Sequence, residues 1–126
     1  MAITLRNVKN APLTHAELDE NFSYILNTYQ DYFYKFVNEN LAEFTPDSFY
    51  HKYSISNFQS PLTINLPINT PQIGTVLILK LDIDIQKLLS WNAGYNTSLV
   101  SLPSAIDKVT EVILLYDSVW FVIGVL

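Results

Sequence analysis

The sequence has no cysteine and only three glycines among its 126 residues. Without cysteine, disulfide bonds and cysteine-based metal sites are excluded, and the redox compartment stays open. Three glycines leave little room for a phosphate-binding loop, and the sequence shows no nucleophile elbow and no Ser-His-Asp arrangement. We therefore expect a protein that is not an enzyme and that holds no metal ion or other cofactor.

Charged residues are scarce as well, at 15% of the chain, and the net charge is −5. Nucleic-acid binding needs clustered Lys and Arg, so we expect no nucleic-acid partner. No apolar run reaches the length of a membrane span, and Arg6 and Lys9 are followed by Pro, Thr and His instead of the apolar region of a secretory signal. We expect no membrane insertion, and assembly in the cytoplasm of the cell that makes the protein.

Apolar residues, in contrast, make up 49% of the chain, and they include seven Phe and eight Tyr. A chain of this length has a large surface relative to its interior, so it cannot bury all of these side chains by itself. We therefore expect part of the apolar surface to be buried between subunits of an oligomer.

Several signals specify the start of a helix near Thr14. Pro12 disfavours an earlier start, Thr14 and Glu17 have the spacing of a capping box, and Leu13 and Leu18 have that of a hydrophobic staple. The apolar residues that follow are spaced alternately by four and three, which is the period of a coiled-coil seam. The seam consists of Leu18, Phe22, Ile25, Tyr29, Tyr32 and Phe36.

The seam predicts a coiled-coil-like helix over residues 13–44, which ends before Pro46. A single amphipathic helix packed on its own domain fits the same period equally well. Aromatic side chains at many seam positions are bulky for two strands, which favours a homotrimer. On this reading Phe22, Ile25, Tyr29, Tyr32 and Phe36 lie at the oligomer interface.

Residues 45–126 change to a period of two, with proline and turn residues between short runs. The strongest predicted strand covers residues 76–85, and further strands are predicted over residues 99–102, 109–116 and 119–126. Many short strands separated by turn signals predict an antiparallel β-sandwich or barrel, so the fold class is α+β. The closing strand is apolar on both faces and would be an aggregation-prone edge in a monomer. Two of its residues are therefore expected at the oligomer interface: Trp120 and Val122.

The run ITLRNVKNAPLTHAELDENF, residues 3–22, resembles the N-terminal segment of many tailed-bacteriophage virion proteins. In those proteins a short basic strand and the pattern PLTxxELDxNF precede a fibre or appendage domain. The usual Lys-Gly is Lys9-Asn10 here, and Asn tolerates a left-handed turn nearly as well as Gly does. Residues 45–126 also resemble, in the order of their elements, the small β domains that end many phage fibres.

The resemblance implies a structural virion protein whose extended arm, residues 1–12, and helix dock onto the capsid, collar, tail or baseplate. The residues implied in docking or in the helix cap are Leu13, Thr14, His15, Glu17, Leu18, Asp19, Asn21 and Phe22. The partners implied are other copies of the chain, other virion proteins and a host surface glycan.

The residues that suggest other chemistry are few. Trp91 and Tyr95 flank a short Asn-Gly loop and are candidates for stacking on a sugar ring, although packing on the β core is the simpler explanation. Asp82 and Asp84 lie on one strand face at a spacing that suits a sugar or a cation, or merely a solvated face. The main alternative function is therefore a carbohydrate-binding module at a fibre tip, and a small hydrolase using these carboxylates or Glu111 is a third reading.

Overall fold

The computed structural model describes residues 11–126, except for the side chains of residues 25–32. The chain forms two compact units, Met1–Phe33 and Tyr34–Leu126, and each is described by itself. The predicted arm over residues 1–12 lies almost entirely outside the described residues.

The described part of the first unit, residues 11–33, contains one helix, α1, His15–Phe33. Its predicted cap is confirmed, because the Thr14 amide donates to Glu17 Oε1 at 3.0 Å and the Glu17 amide donates to Thr14 Oγ1 at 3.2 Å. These two bonds satisfy donors that the first turn of a helix leaves without partners.

The predicted end of the helix at residue 44 is wrong, because α1 ends at Phe33 and a strand begins at Tyr34. Aromatic and β-branched residues favour a strand after this point. The strand pairs in register with a later one, from Tyr34 opposite Lys52 to Asn38 opposite Ser56. This long-range pairing overrides the local helical period, and the helix is therefore shorter than the predicted coiled-coil helix.

The second unit consists of nine strands in two sheets. The strands are β1, Tyr34–Asn38; β2, Glu43–Phe44; β3, Lys52–Ser56; β4, Leu62–Ile64; β5, Val76–Asp82; β6, Lys87–Trp91; β7, Ala105–Ile106; β8, Thr110–Asp117; and β9, Val119–Val125. The larger sheet has the order β1-β3-β5-β8-β9, and the smaller sheet has the order β2-β4-β6-β7.

The first six strands alternate between the two sheets, and this alternation makes most of the pairing parallel. β1, β3 and β5 are parallel in the larger sheet, and β2, β4 and β6 are parallel in the smaller one. Antiparallel pairs join β7 to β6, β8 to β5 and β9 to β8. Over residues 11–126 the protein is thus a small mixed α/β protein with one helix and two sheets, and the predicted antiparallel arrangement is wrong for the first six strands.

The antiparallel prediction failed because a corner that carries the chain from one sheet to the other uses the same residue types as a hairpin turn. Asn57, at the corner after β3, and Asn69, at the corner after β4, both adopt a left-handed backbone with φ of 58° and 65°. The predicted strand over residues 99–102 is not formed, whereas β6 lies where no strand was predicted.

The inward-facing side chains of the two sheets form one hydrophobic core. Leu77, Leu79 and Leu81 of β5 are fully buried, as the alternation predicts. Ile85, the last residue of the predicted strand over residues 76–85, is exposed because β5 ends at Asp82. The core also includes Tyr53, Ile55, Phe58, Leu62, Ile64, Leu89, Val112, Leu114, Trp120 and Val122.

Candidate interaction surfaces

An apolar stripe lies on the first turns of α1. Leu18 and Phe22 are 40% and 67% exposed, and their spacing of four residues places them on the same side of the helix. The predicted docking residues surround this stripe, from half-buried Leu13 through exposed Thr14, His15 and Asp19 to Phe22. The capping box fixes the residue at which the helix begins. We call Leu18 and Phe22 the helix stripe.

The predicted seam does not continue along one helix. The side chains of Ile25, Tyr29 and Tyr32 lie outside the described residues. Phe36 is not helical: it belongs to β1, opposite Ser54 of β3, and is 74% exposed. Its place on a helical seam is therefore corrected, although its side chain remains available to a partner.

Trp120 and Val122, predicted at an oligomer interface, belong instead to the core of a single chain. They are 5% and 0% exposed, and the Trp120 ring packs edge-on against Tyr116 with ring centroids 5.3 Å apart. Alternate residues of a strand face opposite sides of its sheet. The residues of β9 that alternate with these two lie on the opposite side of the sheet, outside the core: Val119, Phe121 and Ile123.

The outward side of the larger sheet is apolar over three neighbouring strands. Val76 of β5 is opposite Leu115 of β8, which is opposite Phe121 of β9. One step along the strands, Ile78 is opposite Ile113, and Ile113 is opposite Gly124, where a Cβ atom would lie 3.3 Å from the Ile113 side chain. We call this surface the outer face; it consists of Val76, Ile78, Ile113, Leu115, Phe121 and Ile123.

Polar groups border the outer face at one margin. Lys52 Nζ lies 3.3 Å from Glu111 Oε1, and both side chains are about one-third exposed. Lys80 is directly opposite Glu111 in the strand register. Glu111 is thus placed between two lysines, and the margin carries no excess of negative charge although the chain has a net charge of −5.

The smaller sheet has a different outward side. Glu43, Thr63 and Ser90 are opposite one another on β2, β4 and β6 and point away from the core. Leu88 of β6 is the apolar exception, at 52% exposed. The two sheets share one core, so the contrast between their outward sides is a property of their sequences.

The candidate sugar-stacking residues are occupied within the chain. Tyr95 is buried, its hydroxyl donates to the Asn65 carbonyl, and burial raises the pKa of that hydroxyl above its ordinary value. The indole nitrogen of Trp91 donates to the Pro103 carbonyl at 2.8 Å, and the Trp91 and Tyr95 rings pack edge to face. The two rings therefore pack within the β unit, which is the simpler of the two explanations that the sequence allowed.

A pocket of about 260 Å³ opens where three loops meet at one end of the β unit. Tyr116 and Trp120 supply its aromatic part, and Thr70, Asn69 and Ser118 supply polar groups. Asn69 and Ser118 both have a φ of 65°, a left-handed conformation. Sequence reasoning missed this pocket; its one local signal was the pair of aromatic residues on either side of the turn at Asp117 and Ser118.

The three carboxylates that the sequence singled out, those of Asp82, Asp84 and Glu111, do not form one cluster. Asp82 and Asp84 line a shallow pocket of about 220 Å³ with Lys87, whereas Glu111 pairs with Lys52. Among the described residues, no three metal-ligating side chains come together. Within the same part of the chain, no helix is long and apolar enough to cross a membrane.

No family model, curated protein or solved structure matches the chain.

Proposed function

We propose that this chain is a structural protein of a tailed-bacteriophage particle, a short homotrimeric fibre or appendage. It is assembled in the host cytoplasm and is attached to the capsid, collar, tail or baseplate by its N-terminal arm and helix. The observation that supports this proposal most directly is the helix stripe, two apolar side chains left exposed on the best specified part of α1.

The capping box makes this stripe a favourable docking surface. A helix that already starts at a defined residue loses little conformational freedom when a partner binds it. Burial of the exposed parts of Leu18 and Phe22 would contribute on the order of 2 kcal/mol, which lowers a Kd by about thirtyfold. Both residues of the stripe also lie within the run that resembles phage N-terminal segments, residues 3–22.

Substitution in the stripe tests the proposal. Phe22→Ser removes an exposed apolar side chain without opening a cavity, and it should reduce incorporation of the chain into purified particles by about tenfold or more. Tyr24→Ser is the matched control, because Tyr24 is also exposed but points to another side of the helix. Equal incorporation of the two variants would contradict docking through the stripe.

Carbohydrate recognition is a second candidate function, favoured by the pocket at Tyr116. A sugar ring stacks its apolar face on an aromatic side chain and hydrogen bonds through its hydroxyls, and this pocket offers an aromatic wall with Thr70, Asn69 and Ser118 beside it. A glycan array should then show a hit that Tyr116→Leu, which removes the aromatic wall, and Thr70→Ala, which removes a hydroxyl, each weaken by about tenfold. A wild-type protein that binds no glycan would contradict this candidate.

A further inference from the structure

We infer that the outer face of the larger sheet is the surface through which copies of this chain bind one another. The inference rests on the proposed function in one respect, that an appendage is built from several copies. It names the surface that the oligomer uses.

The first argument is the pattern along β8. Val112 and Leu114 are fully buried in the core, whereas Ile113 and Leu115 alternate with them on the opposite side of the same strand. A sheet with one face in water normally has polar residues on that face, and strands that are apolar on both faces are typical of sheets covered on both sides. The pattern of β8 is therefore typical of a sheet that is covered on both faces, by the core on one side and by another protein surface on the other.

The second argument is the smaller sheet, which serves as an internal comparison. Its outward residues Glu43, Thr63 and Ser90 are polar, as expected for a face in water. If the apolar outer face merely reflected a general excess of apolar residues in the chain, both sheets would show it. The outward side of the smaller sheet has Leu88 as its apolar exception, whereas the outer face has six apolar residues on neighbouring strands.

The third argument concerns the edge of the larger sheet. β9 is the terminal strand, and it adds Phe121 and Ile123 to the outer face. Part of the β9 edge is paired within the chain, because the Val122 amide donates to the Asn96 carbonyl and the Asn96 amide donates to the Trp120 carbonyl. The rest of this apolar edge strand favours uncontrolled association unless another surface covers it. A defined contact between copies that covers β9 and the outer face together removes this hazard.

Area and charge favour a second copy as the partner. The larger sheet has five strands, and with about 4.8 Å between strands and about 3.3 Å per residue its whole outward side covers on the order of 500 Å². That side includes the outer face on β5, β8 and β9 and the outward residues of β1 and β3. Two whole outward sides in contact remove on the order of 1,000 Å² from solvent, about the minimum for a specific interface. Two acidic chains repel each other, but this face has Lys52 and Lys80 around Glu111 and adds little to that repulsion.

The solution mass of the full chain tests the inference, with two variants as a matched pair. Leu115→Glu places a charge in the outer face, and Leu88→Glu places the same charge at an exposed apolar residue of the smaller sheet. The wild type should sediment at micromolar concentration as an oligomer, with a mass at least twice the 14.4 kDa of one chain. Leu115→Glu should weaken association by at least about a hundredfold because it would bury an unpaired charge, and Leu88→Glu should leave it unchanged.

Leu115→Thr is a second variant for the case that Leu115→Glu does not fold. Thr is β-branched and suits a strand, so this variant should fold. If circular dichroism shows that Leu115→Glu is unfolded, a folded Leu115→Thr should still weaken association by about tenfold, since it exchanges an apolar contact for a hydroxyl. A monomeric wild type, or folded outer-face variants with the wild-type mass, would overturn the inference. An oligomer that is absent from particles would contradict the proposed function alone.

Discussion

Trp120 and Phe121 are neighbours on β9 that face opposite sides of the larger sheet. Trp120 is buried in the core beside Tyr116, whereas Phe121 is on the outer face opposite Leu115. One strand thus takes part both in the folding of a single chain and in the proposed contact between chains. The two roles can be separated by experiment, because each belongs to a different side chain.

Truncating these two residues should therefore have different effects. Trp120→Ala should lower the free energy of unfolding by about 3–5 kcal/mol, because it leaves a cavity in the core. Phe121→Ala should change the unfolding of the isolated chain by much less and should mainly weaken association. Denaturant unfolding under dissociating conditions, together with sedimentation, measures both quantities. Equal losses of stability for the two variants would show that Phe121 also belongs to the core.

The capping box should contribute measurably to α1. Thr14→Ala removes the hydroxyl that accepts from the Glu17 amide and should cost about 1 kcal/mol of helix stability. Glu17→Gln should cost less, because Gln can also occupy the third position of a capping box. Hydrogen exchange of the first-turn amides reports the difference. Unchanged exchange in Thr14→Ala would mean that the box does not hold the helix start in solution.

The buried tyrosines should make the β unit sensitive to alkaline pH. Burial raises the pKa of Tyr53 from 10.0 to about 12, and it raises the pKa of Tyr95 as well. Below about pH 10 both hydroxyls are neutral in the folded and the unfolded chain, so their contribution to stability is complete. As the pH rises from about 10 towards 12, the unfolded chain ionises first and this contribution is lost.

Thermal unfolding across this pH range measures the effect. Tyr95→Phe removes one of the two titrating groups, so its unfolding temperature should fall less steeply with pH than that of the wild type. At neutral pH the same variant should be somewhat less stable, since the Asn65 carbonyl loses the hydroxyl that donates to it. An identical slope in wild type and variant would show that Tyr95 does not contribute to alkaline unfolding.

Local signals predicted the local parts of the fold. The start of α1 is marked by Thr14 and Glu17, three residues apart, and the predicted cap is present. The buried alternation of β5 was also readable, because Leu77, Leu79 and Leu81 mark one face of a single strand. In both cases the determining residues are close in sequence.

The parts that sequence reasoning missed depend on distant residues. The end of α1 is set by the pairing of β1 with β3, from Tyr34 opposite Lys52 onward, which no local period reveals. Trp120 was assigned to the wrong environment because β9 is apolar on both faces, and only the register with β8 shows which face points inward. The pocket at Tyr116 escaped notice because its walls come from three loops far apart in sequence.

Mass spectrometry of purified phage particles tests the central claim most directly. If the chain is a virion protein that docks through α1 as a homotrimer, its peptides should be present at a fixed number of copies per particle, and that number should be divisible by three. Phe22→Ser should lower this number while the protein remains folded and oligomeric in the producing cell. Particles that assemble completely without the chain, in cells where it is abundant and soluble, would contradict the account.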